Sequence, residues 1–274
     1  MLLAEPPRTQ YDLHFQVAGV PVRVHPLFWL MGVILGAGGG GDNVGARVLI
    51  WVAVIFISIL IHELGHAFTM RRFGESPKVV LYMMGGLAIS DGGSIFASRH
   101  RGQRSTLEQI LISAAGPGAG FVFAILVAAV IYGLQGRIIF YRTDFGLPGF
   151  FAFFPEGNVN EFLWSALNGL LYVNIFWGLM NLLPVYPLDG GQIAQQLFVA
   201  HDSWNGLLRS LWLSVIVGGA IAFIGFAVAK EPFIGILFGS LAISSYMTIQ
   251  QIQGGGGFGG GYGGGGSWGG GRGW

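Results

Sequence analysis

The sequence predicts an all-α polytopic membrane protein with about six transmembrane helices and short membrane-associated β-hairpins. Three observations predict it. Of the 274 residues, 53% are hydrophobic and only 10% are charged, whereas a soluble domain carries about 25% charged residues. The apolar residues gather in blocks near the length that crosses a bilayer. Beside those blocks, residues 11–25 alternate apolar and polar residues with period 2, the pattern of half-buried strands, and residues 79–90 hold two apolar runs flanking a Gly-Gly pair. A net charge of +1 gives no electrostatic footprint for nucleic acid, so no nucleic-acid partner is expected. The absence of cysteine excludes disulfides, thiol catalysis and Cys-ligated zinc.

Along the chain, residues 1–23 hold no unbroken apolar core, so no cleavable signal is expected. Residues 11–25 read as extended chain. Tyr11, Leu13, Phe15 and Val17 alternate with Asp12, His14 and Gln16, and Val20, Val22 and Val24 continue beyond a turn near Ala18-Gly19. The predicted spans are 26–37, 48–70, 109–134, 162–187, 211–229 and 233–249, the first of them short. Residues 79–90 form a second expected hairpin, with apolar runs on either side of Gly85-Gly86. The two hairpins either pad the membrane surface or hold substrate. The glycine-dominated end, 254–274, cannot bury enough surface to fold and reads as a disordered tail. The expected organisation is therefore an N-terminal extended segment (1–25), a membrane core (26–253) and the tail.

Orientation follows from basic residues in the loops. The loop after the second span holds Arg71, Arg72, Lys78, Arg99, Arg101 and Arg104 against Glu75 and Asp91. The loop after the third holds Arg137 and Arg142 with Asp144, Glu156 and Glu161. The basic loop is expected in the cytoplasm, and an even number of spans puts both termini there, in a bacterial cell membrane.

The chemistry is concentrated at His62-Glu63-Leu64-Gly65-His66. On a helix His62 and His66 lie one turn apart on one face and can share a zinc ion, with Glu63 beside them to take a proton from zinc-bound water. The plainer reading is two packed histidines with Glu63 as a salt-bridge partner, but polar residues inside an apolar span are costly and imply function. Zinc hydrolases usually use three protein ligands. Asp189 fits the third: it follows the fourth span on the side expected for the histidines. Pro184 and Pro187 break the preceding helix, as is tolerated where backbone lines a buried polar site.

With those residues in view, the chain resembles the site-2 protease family of intramembrane metalloproteases. HELGH at 62–66 matches that family's zinc helix, and NLLPVYPLDGG at 181–191 matches its second signature. Val20-Pro21-Val22-Arg23-Val24-His25 is similar to the stretch before its first helix, Gly85-Gly86 to the glycine pair of its membrane-embedded hairpin, and Ala115-Gly116-Pro117 to its third-helix motif. The resemblance implies one Zn2+ per chain held by His62, His66 and Asp189, with Glu63 as catalytic base and Asn181 positioning substrate or stabilising the reacting carbonyl. It implies a metalloendopeptidase acting in or near transmembrane segments of membrane proteins, expected to be single-span, within the lipid bilayer. The chain departs from the family in carrying Gly120 where an Asn is common. A peptide-binding insert and a nucleotide-sensing C-terminal domain are not expected, because 190–206 is too short for the first and the tail is glycine.

Two other classes compete. A metal transporter or sensor should spread intramembrane ligands over several helices, often in a repeated half, whereas here they sit in one HELGH and one LDG. A catalytically inactive client-binding scaffold has no need of Glu63. Gly116-Pro117-Gly118-Ala119-Gly120 lacks the preceding strand of a phosphate loop, and its glycine spacing suits close helix packing instead. His14, His25, His100 and His201 read as surface or interfacial.

Overall fold

The structure is a computed structural model that describes residues 5–37, 43–83, 85–90, 104–142 and 148–254. The tail beyond Gly254, and Asp91, Arg99, His100, Arg101 and Asp144, lie outside the described residues.

Leu13–Val17 (β1) and Val20–Val24 (β2) form the first hairpin, as their alternation predicts. Ala18 and Gly19 take φ values of 47° and 80°, the primed turn whose twist suits antiparallel neighbours. The first predicted span is a helix of 10 residues, Phe28–Ala37 (α1). At 1.5 Å per residue it is about 15 Å long, half the apolar thickness of a bilayer. The helices long and apolar enough to cross a membrane therefore number five rather than six among the described residues.

Val44–Arg72 (α2) is the first of those five and carries the HELGH motif. It leads into Pro77–Tyr82 (β3) and Gly85–Ser90 (β4). This second hairpin is present, but its register pairs Tyr82 with Gly85. Gly85 and Gly86 thus open β4 and do not form the turn. The two hairpins are also not separate. β2 pairs in parallel with β3, Val22 opposite Val79 and Val24 opposite Leu81, which gives one sheet in the order β1-β2-β3-β4. β2 leads into α1 and β3 follows α2, so their pairing puts the N-terminal strands and the chain after α2 on one side of the bundle. Val20, Val22 and Val24 alternate onto one face with Val79 and Leu81, and that face packs on Ile55, Ile59, Leu64 and Ala67 of α2. The sheet therefore clamps the helix that carries the histidines.

Thr106–Gly133 (α3) begins with a reciprocal cap: Ser105 Oγ accepts from Glu108 N–H at 3.2 Å, and Glu108 accepts from Ser105 N–H at 2.9 Å. Arg104 Nε bonds Glu75 Oε1 at 2.6 Å, tying the start of α3 to the link between α2 and β3. Arg137–Arg142 (β5) and Pro148–Phe153 (β6) form a third hairpin that the sequence reading leaves as loop. The run Ile138 to Tyr141 is continuously apolar and offers no alternation to read. Tertiary contacts hold it, since the Ala152 N–H donates to Asn168 Oδ1 at 2.7 Å and its C=O accepts from Trp164 Nε1 at 2.9 Å.

Asn160 caps Glu161–Asn181 (α4) through Leu163 N–H at 2.8 Å. This span ends at Asn181 and not at 187, because the Leu182-to-Leu188 segment with its two prolines is irregular. The connection at 190–206, to which the sequence assigns no span, contains a helix, Asp189–His201 (α5). Gly206–Ala227 (α6) and Pro232–Gly254 (α7) end the described residues as a packed pair. Ala222 of α6 and Phe238 and Leu241 of α7 enclose Val185 from the irregular segment.

Candidate metal centre

His62 and His66 project from α2 one turn apart, their ring centroids 4.9 Å from each other. Asp189 is the first residue of α5, where a carboxylate faces the positive end of the helix dipole. The fold brings these three together as the sequence predicts. His62 Nε2 lies 3.1 Å from Asp189 Oδ2, His66 Nε2 lies 3.4 Å from Asp189 Oδ1, and the two Nε2 atoms are 3.2 Å apart. All three residues are under 9% exposed, as is Glu63. Among the described residues no other group of His, Asp or Glu converges in this way.

The donor set fits zinc. A tetrahedral ion bonded at about 2.0–2.1 Å separates its ligands by about 3.3–3.4 Å, close to the three separations here. Two imidazoles and a carboxylate are borderline donors that suit this ion. His66 Nδ1–H donates to the Ile112 carbonyl at 2.7 Å. That bond fixes the tautomer with the Nε2 lone pair turned inward, as metal-ligating histidines require.

Two glycines make room for the site. A Cβ at Gly116 on α3 would overlap His66 Nε2 and lie 2.8 Å from His62 Nε2. A Cβ at Gly86 on β4 would lie 2.7 Å from Glu63 Oε1. The glycine spacing predicts close helix packing at Gly116, and α3 does approach α2 there, against the two imidazole rings. Gly120 does approach α4, with its Cβ position 3.5 Å from the Asn174 carbonyl. Asn174 donates to Ser58 Oγ on α2 at 2.9 Å, so α4 supplies the amide near Gly120. Asn181, the last residue of α4, is buried and donates to the Trp177 carbonyl at 2.9 Å. An amide nitrogen has two hydrogens, so one remains for another acceptor.

His14 and His201 are exposed as expected. His25 is not: it is buried beneath the sheet, its N–H donating to Leu81 O at 2.8 Å and its Nδ1 accepting from Leu27 N–H at 3.2 Å. The backbone turn into α1 occupies this ring, a role that type and spacing do not reveal. The sequence also gives no sign of Ile112, because a backbone acceptor for His66 leaves no side-chain signature.

Comparisons with known proteins agree with this architecture. A zinc metalloprotease of Methanocaldococcus jannaschii is 25% identical over 212 residues, which are 77% of this chain and 51% of that protein. Rip3 of Mycobacterium tuberculosis is 28% identical over 263 residues, 85% of this chain and 55% of its own length. The chain thus spans about half the length of these relatives. The solved structure of a site-2 protease from Methanocaldococcus jannaschii superposes with a TM-score of 0.50 at 20% identity, covering 87% of this chain and 95% of the other, a likeness of fold. The model of peptidase family M50 matches residues 50–225, more than half of the sequence, from within the HELGH helix through α5 and into α6, and the chain belongs to that family.

Proposed function

We propose that this protein is an intramembrane zinc metalloendopeptidase that hydrolyses peptide bonds in or near the transmembrane segments of membrane proteins. The convergence of His62, His66 and Asp189 beside Glu63, buried at one end of a bundle of apolar helices, is the observation that carries this reading. In it His62, His66 and Asp189 hold one zinc ion. When bound, the metal supplies a Lewis acid that makes water nucleophilic near neutral pH. Glu63 accepts the proton of the attacking water and later delivers it to the leaving amine. Asn181 orients the substrate carbonyl with its free amide hydrogen.

β4 supports this substrate class. An intact client helix hides its peptide bonds behind its own hydrogen bonds, so cleavage requires an unwound stretch. β4 is one of the two edge strands of the sheet and carries Gly86, which lies against Glu63. An unwound segment, from a single-span client, can add to it by backbone pairing beside the base. Metal analysis of the purified protein together with cleavage of a single-span membrane substrate tests the reading. Zinc near one per chain and a product cut within or beside the span support it, and stoichiometric zinc with no hydrolysis of any such substrate counts against it.

Gly86→Ala gives a sharper check. The added methyl must displace the Glu63 carboxylate while leaving the three ligands in place, so turnover should fall at least about 10-fold with zinc content unchanged. Unaltered kcat in this variant would separate Glu63 from the strand. Orientation is proposed from the basic loop after α2: the β2–β3 pairing keeps the N-terminal strands on that side, and four spanning helices follow, so both termini are cytoplasmic. Reporter fusions at the two ends should both read as cytoplasmic, and a C-terminal reporter found outside overturns that topology.

A further inference from the structure

Between α4 and α5 the chain from Leu182 to Leu188 is irregular and lies among apolar helices, so each of its backbone polar groups needs a partner other than water. Most find one nearby. Val185 N–H donates to Leu183 O at 2.7 Å, Leu188 N–H to Val185 O at 2.9 Å, and Pro187 O accepts from Gln192 Nε2 at 3.2 Å. Tyr186 is different, because its partners come from two other helices. Its N–H donates to Ser214 Oγ of α6 at 2.9 Å, and its C=O accepts from Ser245 Oγ of α7 at 3.4 Å. Both serines are 1% exposed. Ser214 also donates to the Ser210 carbonyl of its own helix at 3.0 Å, which turns its lone pairs towards Tyr186.

The same peptide supports α5. A Cβ at Gly191 would lie 2.5 Å from Tyr186 N, so the first turn of α5, which begins at Asp189, rests directly on the backbone that the serines hold. We propose that Ser214 and Ser245 are positioning residues for the metal centre, fixing the loop that presents Asp189 through the two polar groups of Tyr186. This rests on the assignment of Asp189 as a ligand. It also makes the α6–α7 pair, which contributes no ligand, part of what sets metal affinity.

The test uses the full-length protein in detergent. Co2+ affinity is read by chelator competition, and ligand geometry by the visible spectrum of bound Co2+. Ser214→Ala leaves a buried N–H without a partner and should weaken Co2+ binding about 10-fold with an altered spectrum. Ser245→Ala, at the longer contact, should weaken it less. Ser214→Thr restores the hydroxyl and should recover affinity. Ser210→Ala removes an equally buried hydroxyl that bonds only within α6 and should change neither reading. In the metal-free protein, amide exchange across 185–192 should quicken in both alanine variants. If Ser214→Ala does not fold, Ser245→Ala carries the same comparison. Wild-type uptake of Co2+ with wild-type affinity and spectrum in the alanine variants overturns this proposal alone. Wild-type protein that takes up no Co2+ overturns the ligand assignment and this proposal together.

Discussion

Glu63→Gln should keep one zinc per chain and lose peptide hydrolysis, with kcat down by about 10²–10⁴-fold, the range that a positioned general base contributes. The amide has the size of the carboxylate, so it fits in the space that Gly86 leaves beside it. It cannot accept a proton from water at neutral pH. Glu63 makes none of the close contacts among His62, His66 and Asp189, so metal affinity should hold. Zinc content by elemental analysis and single-turnover cleavage measured on the same sample give the answer. Retained turnover would remove Glu63 from the mechanism, and lost zinc would make it a ligand.

The second large effect is loss of the metal itself. His62→Ala, His66→Ala and Asp189→Ala each remove one of three protein ligands. Each should weaken zinc binding by more than the about 10–100-fold that loss of an outer hydrogen-bond partner costs. Activity should disappear with the metal in all three. Asp189→Ala is the most informative, because the histidines share a helix turn whereas Asp189 lies 127 residues beyond His62 in sequence. Unchanged zinc affinity in that variant would require another third ligand. Together with Glu63→Gln these variants separate metal loss from loss of the proton acceptor, which activity alone cannot do.

Much of this was legible in the sequence because it depends on local spacing. A histidine pair at i and i+4 faces one way on any helix, so HELGH placed His62 and His66 together with Glu63 beside them once composition made the segment a span. The alternation from Leu13 to Val24 specified a hairpin, and the turn at Ala18-Gly19 needed only local backbone geometry. The two prolines at 184 and 187 marked a break, though not where the helix ended. The rest was decided by contacts between distant segments, which leave no periodic trace. The parallel pairing of β2 with β3 joined two hairpins across α1 and α2. The β5–β6 hairpin and α5 were missed because an unbroken apolar run and a Gly-Gly start resemble span and linker until something packs against them. Gly116 and Gly86 look like generic small residues, yet they are required because imidazole and carboxylate fill the space a side chain would occupy. Sequence by itself determined which polar groups stand together in an apolar span, and that the chain lies in a membrane. Only the tertiary structure decided how Asp189 is held against the histidines, because that depends on backbone groups of an irregular loop satisfied by serines on two later helices.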